Sequence, residues 1–278
     1  MKAAPFAYER PSTLKAATAL MAETHSDAKI MAGGQSLGPM LNLRLVQPEL
    51  IIDITGLAEL KQADRDGDEL VIGACVTHGD IEDGRVPDVT RKAMQRVAGG
   101  IAYRAVRNRG TIGGSLSHAD PAADWVSALP ALGAKVRLRG PSGHRDIAVE
   151  DFMTGALETA LQADELLESV RVPAMRPSAR WAYVKACRKP GEFAHAIAAV
   201  LIDPDSATGR VVLGAIEAPP IVLRDASVLF GGRITENFKA EFVASAADAL
   251  LSKAGVANAA DRHIHVAILR RAIAEAAA

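Results

Sequence analysis

The pattern of apolar and polar positions in the first part of the chain alternates between helical and strand-like segments. A helical pattern begins at Pro11-Ser12-Thr13 and extends through Met21, and the run AKIMA after it is typical of a short buried strand. The runs ELIIDIT, ELVIGACVT and ELLESVRVP are also strand-like. A helix is predicted from about Pro87 to Val97, and the segments AKVRLRG and HRDIAV flank a GPSG turn that predicts a hairpin.

From Arg180 onward, the pattern is typical of an antiparallel meander followed by helices. The three strand-like runs are RWAYVKACR, AHAIAAVLID and RVVLGAIEA, and a short loop joins the last two. Two Ala-rich segments, near Lys239 to Lys253 and His263 to Ala277, have helical propensity. The change of pattern predicts one domain over residues 1–175, with subdomains of about 1–57 and 58–175, and another over 176–278.

Two glycine pairs interrupt these patterns, each between an apolar run and a helix start. They lie in AGGQSLGPM, where Pro39 suits a first helical turn, and in TIGGSLSHADPAAD. Because glycine has no Cβ and reaches positive φ, main-chain N–H groups around it can converge on an anion. Neither loop has the Rossmann or P-loop spacing, and each pair alone is typical of a tight turn. Two such units in one chain favour one shared diphosphate, bound by the main-chain amides of both loops.

The acidic residues after the second glycine pair have two interpretations. Asp120 and Pro121 predict an N-cap and a first helical residue, with a helix that extends to Leu129 and ends near Pro130. Asp124 then lies one turn into that helix, on the same face as Asp120. It is either a ligand contact or a solvated acid.

Composition narrows the class of function. The chain has 278 residues, with 32 Lys and Arg against 33 Asp and Glu, and this balance predicts no nucleic-acid or membrane surface. Cys75 and Cys187 form no CxxC pair, which argues against an iron–sulfur cluster or structural zinc on this chain and indicates buried thiols in a reducing cytoplasm. His263 and His265 lie on different sides of a helix, a poor metal pair. We therefore predict neither a metal site nor a catalytic residue.

Three arginines precede the second glycine pair, and their role is open at this point. Arg104, Arg107 and Arg109 lie in the irregular basic segment RAVRNRG. They are candidates for neutralising a phosphate, although such a run more commonly forms a solvated or subunit-facing cluster.

Taken together, AGGQSL, TIGGSLSHADPAAD and the C-terminal RRAIAEA resemble the medium, FAD-binding subunit of molybdenum hydroxylases, a family that includes aerobic carbon monoxide dehydrogenase and relatives of xanthine dehydrogenase. The resemblance covers nearly the whole chain. It implies an α+β protein in which a two-subdomain FAD-binding fold of the vanillyl-alcohol-oxidase type precedes a C-terminal domain with a three-stranded antiparallel sheet and helices. FAD is expected between the two N-terminal subdomains.

The resemblance also implies individual cofactor contacts. Asp124 matches an acidic residue that contacts FAD hydroxyl groups. Ser115 replaces the asparagine of many relatives, and Phe193 lies near a position where they often have tyrosine. The implied FAD contacts are Ala32, Gly33, Gly34, Gln35 and Ser36 in the first loop, Thr111, Ile112, Gly113, Gly114 and Ser115 in the second, and, outside the loops, Asp124 together with Ile101, Leu167 and Lys185 on the adenine or flavin side.

In the family that this chain resembles, the medium subunit transfers electrons. A large partner carries molybdopterin and oxidises the substrate, a small partner carries [2Fe–2S] clusters, and FAD passes the electrons to an external acceptor. The implied assembly is a cytoplasmic dimer of heterotrimers. Two alternatives are open: a freestanding FAD-dependent oxidoreductase with its own substrate pocket, and a nucleotide-binding or scaffold protein without redox activity.

Overall fold

The computed structural model describes residues 2–24 and 28–278, and its first sheet is parallel. Residues 1 and 25–27, which the predicted first subdomain includes, lie outside the described residues. The strand order is β1-β3-β2. The central strand is buried along its whole length, as expected where parallel strands are covered on both faces. The elements in chain order are β1 (Ala7–Glu9), α1 (Leu14–Thr24), β2 (Ala28–Met31), α2 (Leu37–Asn42) and β3 (Leu50–Asp53).

The second sheet is antiparallel and five-stranded, and helices between its second and third strands in the chain pack against it. A large apolar core joins this sheet to the helices and contains Trp125, Leu129 and Val170, each fully buried. The elements are a 3₁₀ helix (Ala58–Lys61), β4 (Ala63–Asp66), β5 (Glu69–Gly73), α3 (His78–Glu82), α4 (Ala93–Gly99), α5 (Arg104–Arg107), α6 (Ile112–His118), α7 (Asp124–Ala131), β6 (Lys135–Gly140), β7 (Gly143–Ala148), a 3₁₀ helix (Val149–Asp151), a small hairpin of β8 (Met153–Gly155) and β9 (Glu158–Thr159), and β10 (Leu166–Pro173). The sheet order is β4-β5-β10-β6-β7.

The C-terminal sheet is an antiparallel meander with helices on one face. Its elements are β11 (Arg180–Ala186), β12 (Ala196–Asp203), β13 (Thr208–Gly214), β14 (Ile221–Leu223), a 3₁₀ helix (Ser227–Phe230), α8 (Phe238–Glu241), α9 (Ala244–Lys253) and α10 (Ala259–Ala276). The three predicted strands are present, but the predicted total of three is wrong, because β14 pairs with β13 as a fourth strand. The opposite face packs on α7 through Ala131, Ala199 and Val212.

The predicted helix after the second glycine pair starts in the wrong place. Asp120 Oδ1 accepts a hydrogen bond from Ala122 N at 2.8 Å, which closes an Asx turn instead of capping a helix. The helix α7 begins at Asp124 after an extended Ala123, and it includes Pro130. Asp120 and Asp124 therefore do not share a helix face.

The helix predicted from about Pro87 begins later, at Ala93. Arg91 and Lys92 precede it with φ values of 53° and 67°, in the left-handed region that a right-handed helix excludes. The prediction of two buried thiols is right for Cys75, whereas Cys187 is half-buried.

Residues 2–24 and 28–278 include no helix long and apolar enough to cross a membrane. The same residues include no group of three or more His, Cys, Asp or Glu side chains that could hold a metal ion.

Candidate functional site

The two glycine loops lie against each other. A Cβ added to Gly33 would lie 1.9 Å from the carbonyl oxygen of Arg109, and a Cβ added to Gly114 would lie 3.9 Å from the Cβ of Ala32. Such close approach of two main chains requires glycine at position 33. The predicted convergence of the two loops is therefore present in the fold.

A cavity of about 570 Å³ opens beside the paired loops. Its volume lies within the range of about 300–1,000 Å³ that is typical of sites for small molecules and cofactors. Most of the predicted site residues line it: Ala32, Gly33, Gly34, Gln35, Ser36, Ile101, Thr111, Gly113, Gly114, Ser115, Asp124 and Leu167. A second cavity, of about 610 Å³, lies near Arg91, Arg180 and Trp181, and no predicted site residue lines it.

The first loop presents main-chain donors. Within the described residues, the amides of Gly33, Gly34, Gln35 and Ser36 donate to no protein acceptor. Gly34 has φ 69°, which turns the chain into α2. A row of free N–H groups at a turn is the arrangement that binds phosphate oxygens, so this loop has the donors that a diphosphate requires.

The second loop does not present its amides, which corrects the prediction that both loops do so. The amides of Ile112 and Gly113 donate to Val76 O and Ala74 O, both at 3.0 Å. The side chain of Thr111 caps the amide of Gly114, and Ser115 N donates to Thr111 O. These donors are used to start α6 and to attach it to the segment after β5. The second loop instead offers hydroxyl groups and an uncovered glycine surface.

Gly113 has a packing role. A Cβ at this position would lie 2.5 Å from Ala74 Cβ and 2.8 Å from Ala74 O. Ile112 is fully buried and does not line the cavity. Ile112 therefore supports the wall of the cavity from behind, whereas Gly113 lines the cavity and allows α6 to pack on Ala74.

Asp124 supplies a buried carboxylate at the start of α7. Its side chain is 9% exposed, and its Oδ1 accepts hydrogen bonds from Lys185 Nζ and Tyr183 Oη, both at 2.8 Å. Burial raises the pKa of Asp124, and the Lys185 ammonium partly offsets this effect. Lys185 Nζ also donates to Gly100 O at 2.9 Å and does not itself line the cavity. Lys185 thus acts on the cavity through Asp124.

Two of the three arginines before the second loop are held away from the cavity. Arg104 pairs with Asp83, and Arg107 Nε binds Glu82 Oε2 at 2.8 Å. Arg107 also donates to Ile101 O at 3.0 Å. Of the two interpretations of this run, the structure supports a surface ion-pair cluster for Arg104 and Arg107.

The family follows from a match that extends over more than half of the chain. Residues 4–175 match the family model described as the FAD binding domain in molybdopterin dehydrogenase. The chain belongs to this family.

Individual relatives extend the similarity to nearly the full length. Caffeine dehydrogenase subunit beta of Pseudomonas sp. (strain CBB1) is 34% identical, with 97% of this chain and 100% of that protein covered. The carbon monoxide dehydrogenase medium chain of Hydrogenophaga pseudoflava is 36% identical over 89% of this chain and 86% of that one. A solved structure from the same organism is of a carbon monoxide dehydrogenase that lacks the Mo-pyranopterin moiety of the molybdenum cofactor. One of its chains matches with a TM-score of 0.89 at 33% identity, and the match covers 99% of this chain and 98% of that chain.

For a member of the FAD binding domain family, the cavity has two departures. Ser115, where the resemblance implies an asparagine in many relatives, lines the cavity with a short hydroxyl side chain. Phe193 is 65% exposed at the mouth of the cavity, where it can cover a ring but cannot donate a hydrogen bond. Leu157, which is 58% exposed, also lies at the mouth and was not predicted from the sequence.

His78 also lines the cavity, and the sequence did not indicate it as a site residue. It follows the capping-box residue Thr77 in the segment THGD, a local signal for the start of a helix. Its position in the cavity wall depends on Gly110 and Trp125, which are distant in sequence. Local pattern alone could not have identified it.

Proposed function

We propose that the cavity holds FAD and that this chain is the FAD-carrying electron-transfer subunit of a molybdenum hydroxylase. The observation that carries the proposal is the row of free amides from Gly33 to Ser36, which faces the same cavity as the buried carboxylate of Asp124. The N–H donors on one side can bind the oxygens of a diphosphate. The carboxylate on the other side can accept hydrogen bonds from ribose or ribityl hydroxyl groups. When bound, FAD supplies reversible electron transfer, and the protein orients it and excludes competing reactions.

The residues have separate roles in this proposal. The amides of the first loop bind the diphosphate, and Gly34 gives the turn that aligns them. Asp124 accepts hydrogen bonds through Oδ2, since both of its side-chain partners lie on Oδ1. Ile101, Leu167 and Phe193 provide apolar contact for the rings. No residue of the chain acts as an acid, base or nucleophile toward the organic substrate.

The proposed domain limits follow the hydrophobic clusters. Residues 1–175 form the FAD-binding domain, with subdomains of about 1–57 and 58–175 and the vanillyl-alcohol-oxidase type of fold. Residues 176–278 form the C-terminal domain. In support, one cluster spans the first sheet and α1, another joins the second sheet to its helices, and a third lies between the C-terminal sheet and α8–α10.

The electron path requires partner chains. A large molybdopterin subunit oxidises the substrate, a small [2Fe–2S] subunit relays electrons to FAD, and an external acceptor removes them. We propose a dimer of heterotrimers in the cytoplasm. The support is that the relatives are named as subunits or medium chains.

A freestanding FAD-dependent oxidoreductase is the competing proposal, and one experiment separates the two. The chain is expressed alone and together with the genes that flank its own, and each preparation is assayed for flavin absorbance, iron and molybdenum. We expect FAD on the chain in both preparations, and iron and molybdenum only in a co-purifying complex. A yellow single chain that oxidises an organic substrate unaided would overturn the subunit proposal. A chain that binds no FAD after reconstitution would overturn the cofactor assignment.

A further inference from the structure

His78 is a buried polar side chain in the cavity wall for which the proposed function has no role so far. It is 4% exposed, and it is one of the residues that line the cavity. Its main-chain N donates to Gly110 O at 2.9 Å, which holds the residue next to the second glycine loop. The side chain is thus fixed where the two loops meet.

The proton position on the ring follows from its neighbour. The indole Nε1 of the fully buried Trp125 donates to His78 Nδ1 at 3.1 Å. An indole N–H can only donate, so Nδ1 is the acceptor and the proton of the neutral ring lies on Nε2. Burial lowers the pKa of His78 to about 4, and the positive charge of Arg107 contributes to this effect. The ring is therefore an uncharged donor at neutral pH.

The donor atom is open to the cavity. Nε2 has no hydrogen-bond partner among the described residues, and it is not enclosed by protein. The ring edge faces Gly110, where an added Cβ would lie 3.1 Å from Nε2. A side chain at position 110 would crowd this edge, so glycine there leaves it uncovered.

A second buried histidine shows what a purely structural ring looks like in this chain. His265 is 2% exposed, and both ring nitrogens contact main-chain oxygens, Asp261 O at 2.9 Å and Gly214 O at 3.1 Å. In His78, by contrast, only Nδ1 has a protein partner among the described residues, the indole N–H of Trp125. Because Nε2 faces the cavity and has no protein partner, its N–H is available to an acceptor on a bound ligand.

We propose that His78 Nε2 donates a hydrogen bond to an oxygen of FAD at the seam between the two glycine loops, with Trp125 as the residue that positions its proton. This inference rests on the proposed cofactor. The acceptor is an oxygen of the diphosphate or of the adjoining ribityl chain. The second loop, whose amides are already used, then contributes to binding through this buried side chain.

The test compares two substitutions of similar size in the full chain. His78→Gln retains an N–H donor, and His78→Met does not. After removal of bound flavin, the dissociation constants of FAD and ADP are measured by calorimetry. We expect His78→Met to weaken FAD binding about tenfold and His78→Gln to stay within about threefold of the parent, the size expected for one hydrogen bond. Weakening of both ligands assigns the acceptor to the diphosphate, and weakening of FAD alone assigns it to the ribityl side.

A spectroscopic measurement on the parent chain does not depend on how the variants fold. In the chain labelled with ¹⁵N-histidine, Nε2 of His78 should carry the proton in the apo form, and its resonance should move when FAD binds. Trp125→Phe should reduce the population of this tautomer and weaken FAD binding in proportion. Equal FAD affinity in His78→Met and an unchanged Nε2 resonance would overturn the inference while leaving FAD binding itself intact. A parent chain that binds no FAD would instead refute the proposed function.

Discussion

The two glycine loops look alike in sequence but differ in what they present to the cavity. The first loop leaves the amides of Gly33 to Ser36 free, whereas the second uses the amides of Ile112 to Ser115 for its own helix and for contacts with the segment after β5. One side of the cavity is therefore a main-chain surface. The other side presents side chains to the cavity, chiefly Asp124 and His78.

The difference shows that a glycine pair can act in two ways. Gly33 permits close approach of two loops, and Gly34 permits a left-handed turn. Gly113 permits a helix to pack on Ala74. On the main-chain side, we expect stability and FAD binding to depend on the volume added by a substitution and hardly on the polar groups of the side chains. On the opposite side, we expect them to depend on which polar or charged group the side chain carries.

The largest effect is expected from Gly33→Ala. The new Cβ would lie 1.9 Å from Arg109 O, so the loops must separate. We expect the free energy of unfolding to fall by roughly 4 kcal/mol, beyond the usual overpacking cost, and FAD content to be lost. Urea unfolding and flavin absorbance measure the two effects. Gly38→Ala is the control, because a Cβ there meets nothing within 4 Å. A Gly33→Ala chain with normal FAD content would contradict the need for close approach.

Asp124→Asn tests the side-chain surface. The substitution removes the counter-charge of Lys185, whose side chain is only 13% exposed. Breaking a buried pair in this way should destabilise the apo chain by about 3 kcal/mol. Urea unfolding of the variant provides the measurement. Adding Lys185→Met to this variant should recover part of the lost free energy of unfolding, because the unpaired ammonium is removed. A double variant that recovers none of it would show that the ion pair does not stabilise this wall.

The pH dependence of stability tests the neutral state of His78. Its pKa is about 4 in the folded chain and 6.5 when unperturbed, so the unfolded chain binds more protons between these values. Stability is therefore retained above pH 6.5 and lost as the pH falls, by about 2 kcal/mol between pH 7 and pH 5. The free energy of unfolding of the apo parent and of the apo His78→Gln variant is measured in urea at both pH values. The difference between their pH dependences gives the contribution of His78. Identical slopes in the two chains would mean that His78 is not held neutral.

The smallest effect is expected from Gln35→Ala and Ser36→Ala. Both substitutions keep the main-chain amides, and the Gln35 side chain forms only a bond of 3.2 Å to Gly33 O. FAD affinity should change by less than about 1 kcal/mol, within the worth of one weak hydrogen bond. Calorimetric titration with FAD gives the value. A tenfold loss of FAD affinity in either variant would mean that side chains bind FAD on this side as well. The two loops would then not differ in how they bind.

The sequence was most informative where a signal was local and repeated. The strands from Arg180 to Gly214 were predicted because each has a strand-like run of apolar and β-branched or aromatic residues, the longest being AIAAVLI in β12. The strand β14 was missed because it has only three residues and is defined by its pairing with β13. The start of α7 was misplaced because Asp120 can cap a helix or close a turn, and only tertiary context selects between them.

The sequence could predict that the two loops converge. It could not predict which of their main-chain amides are free and which already donate to protein acceptors. Glycine pairs and helix starts are visible in sequence, whereas the acceptors Ala74 O and Val76 O come from another segment. His78 was not found for the same reason, since its two decisive neighbours, Gly110 and Trp125, are distant in sequence.

The helix α7 belongs mechanically to both halves of the protein. Its first residue carries the carboxylate that Lys185 of β11 holds, and the carbonyl of Pro130 near its end accepts a hydrogen bond from Arg210 of β13 at 3.0 Å. A displacement of the C-terminal sheet would therefore be expected to displace α7 and, with it, the carboxylate of Asp124 in the cavity wall.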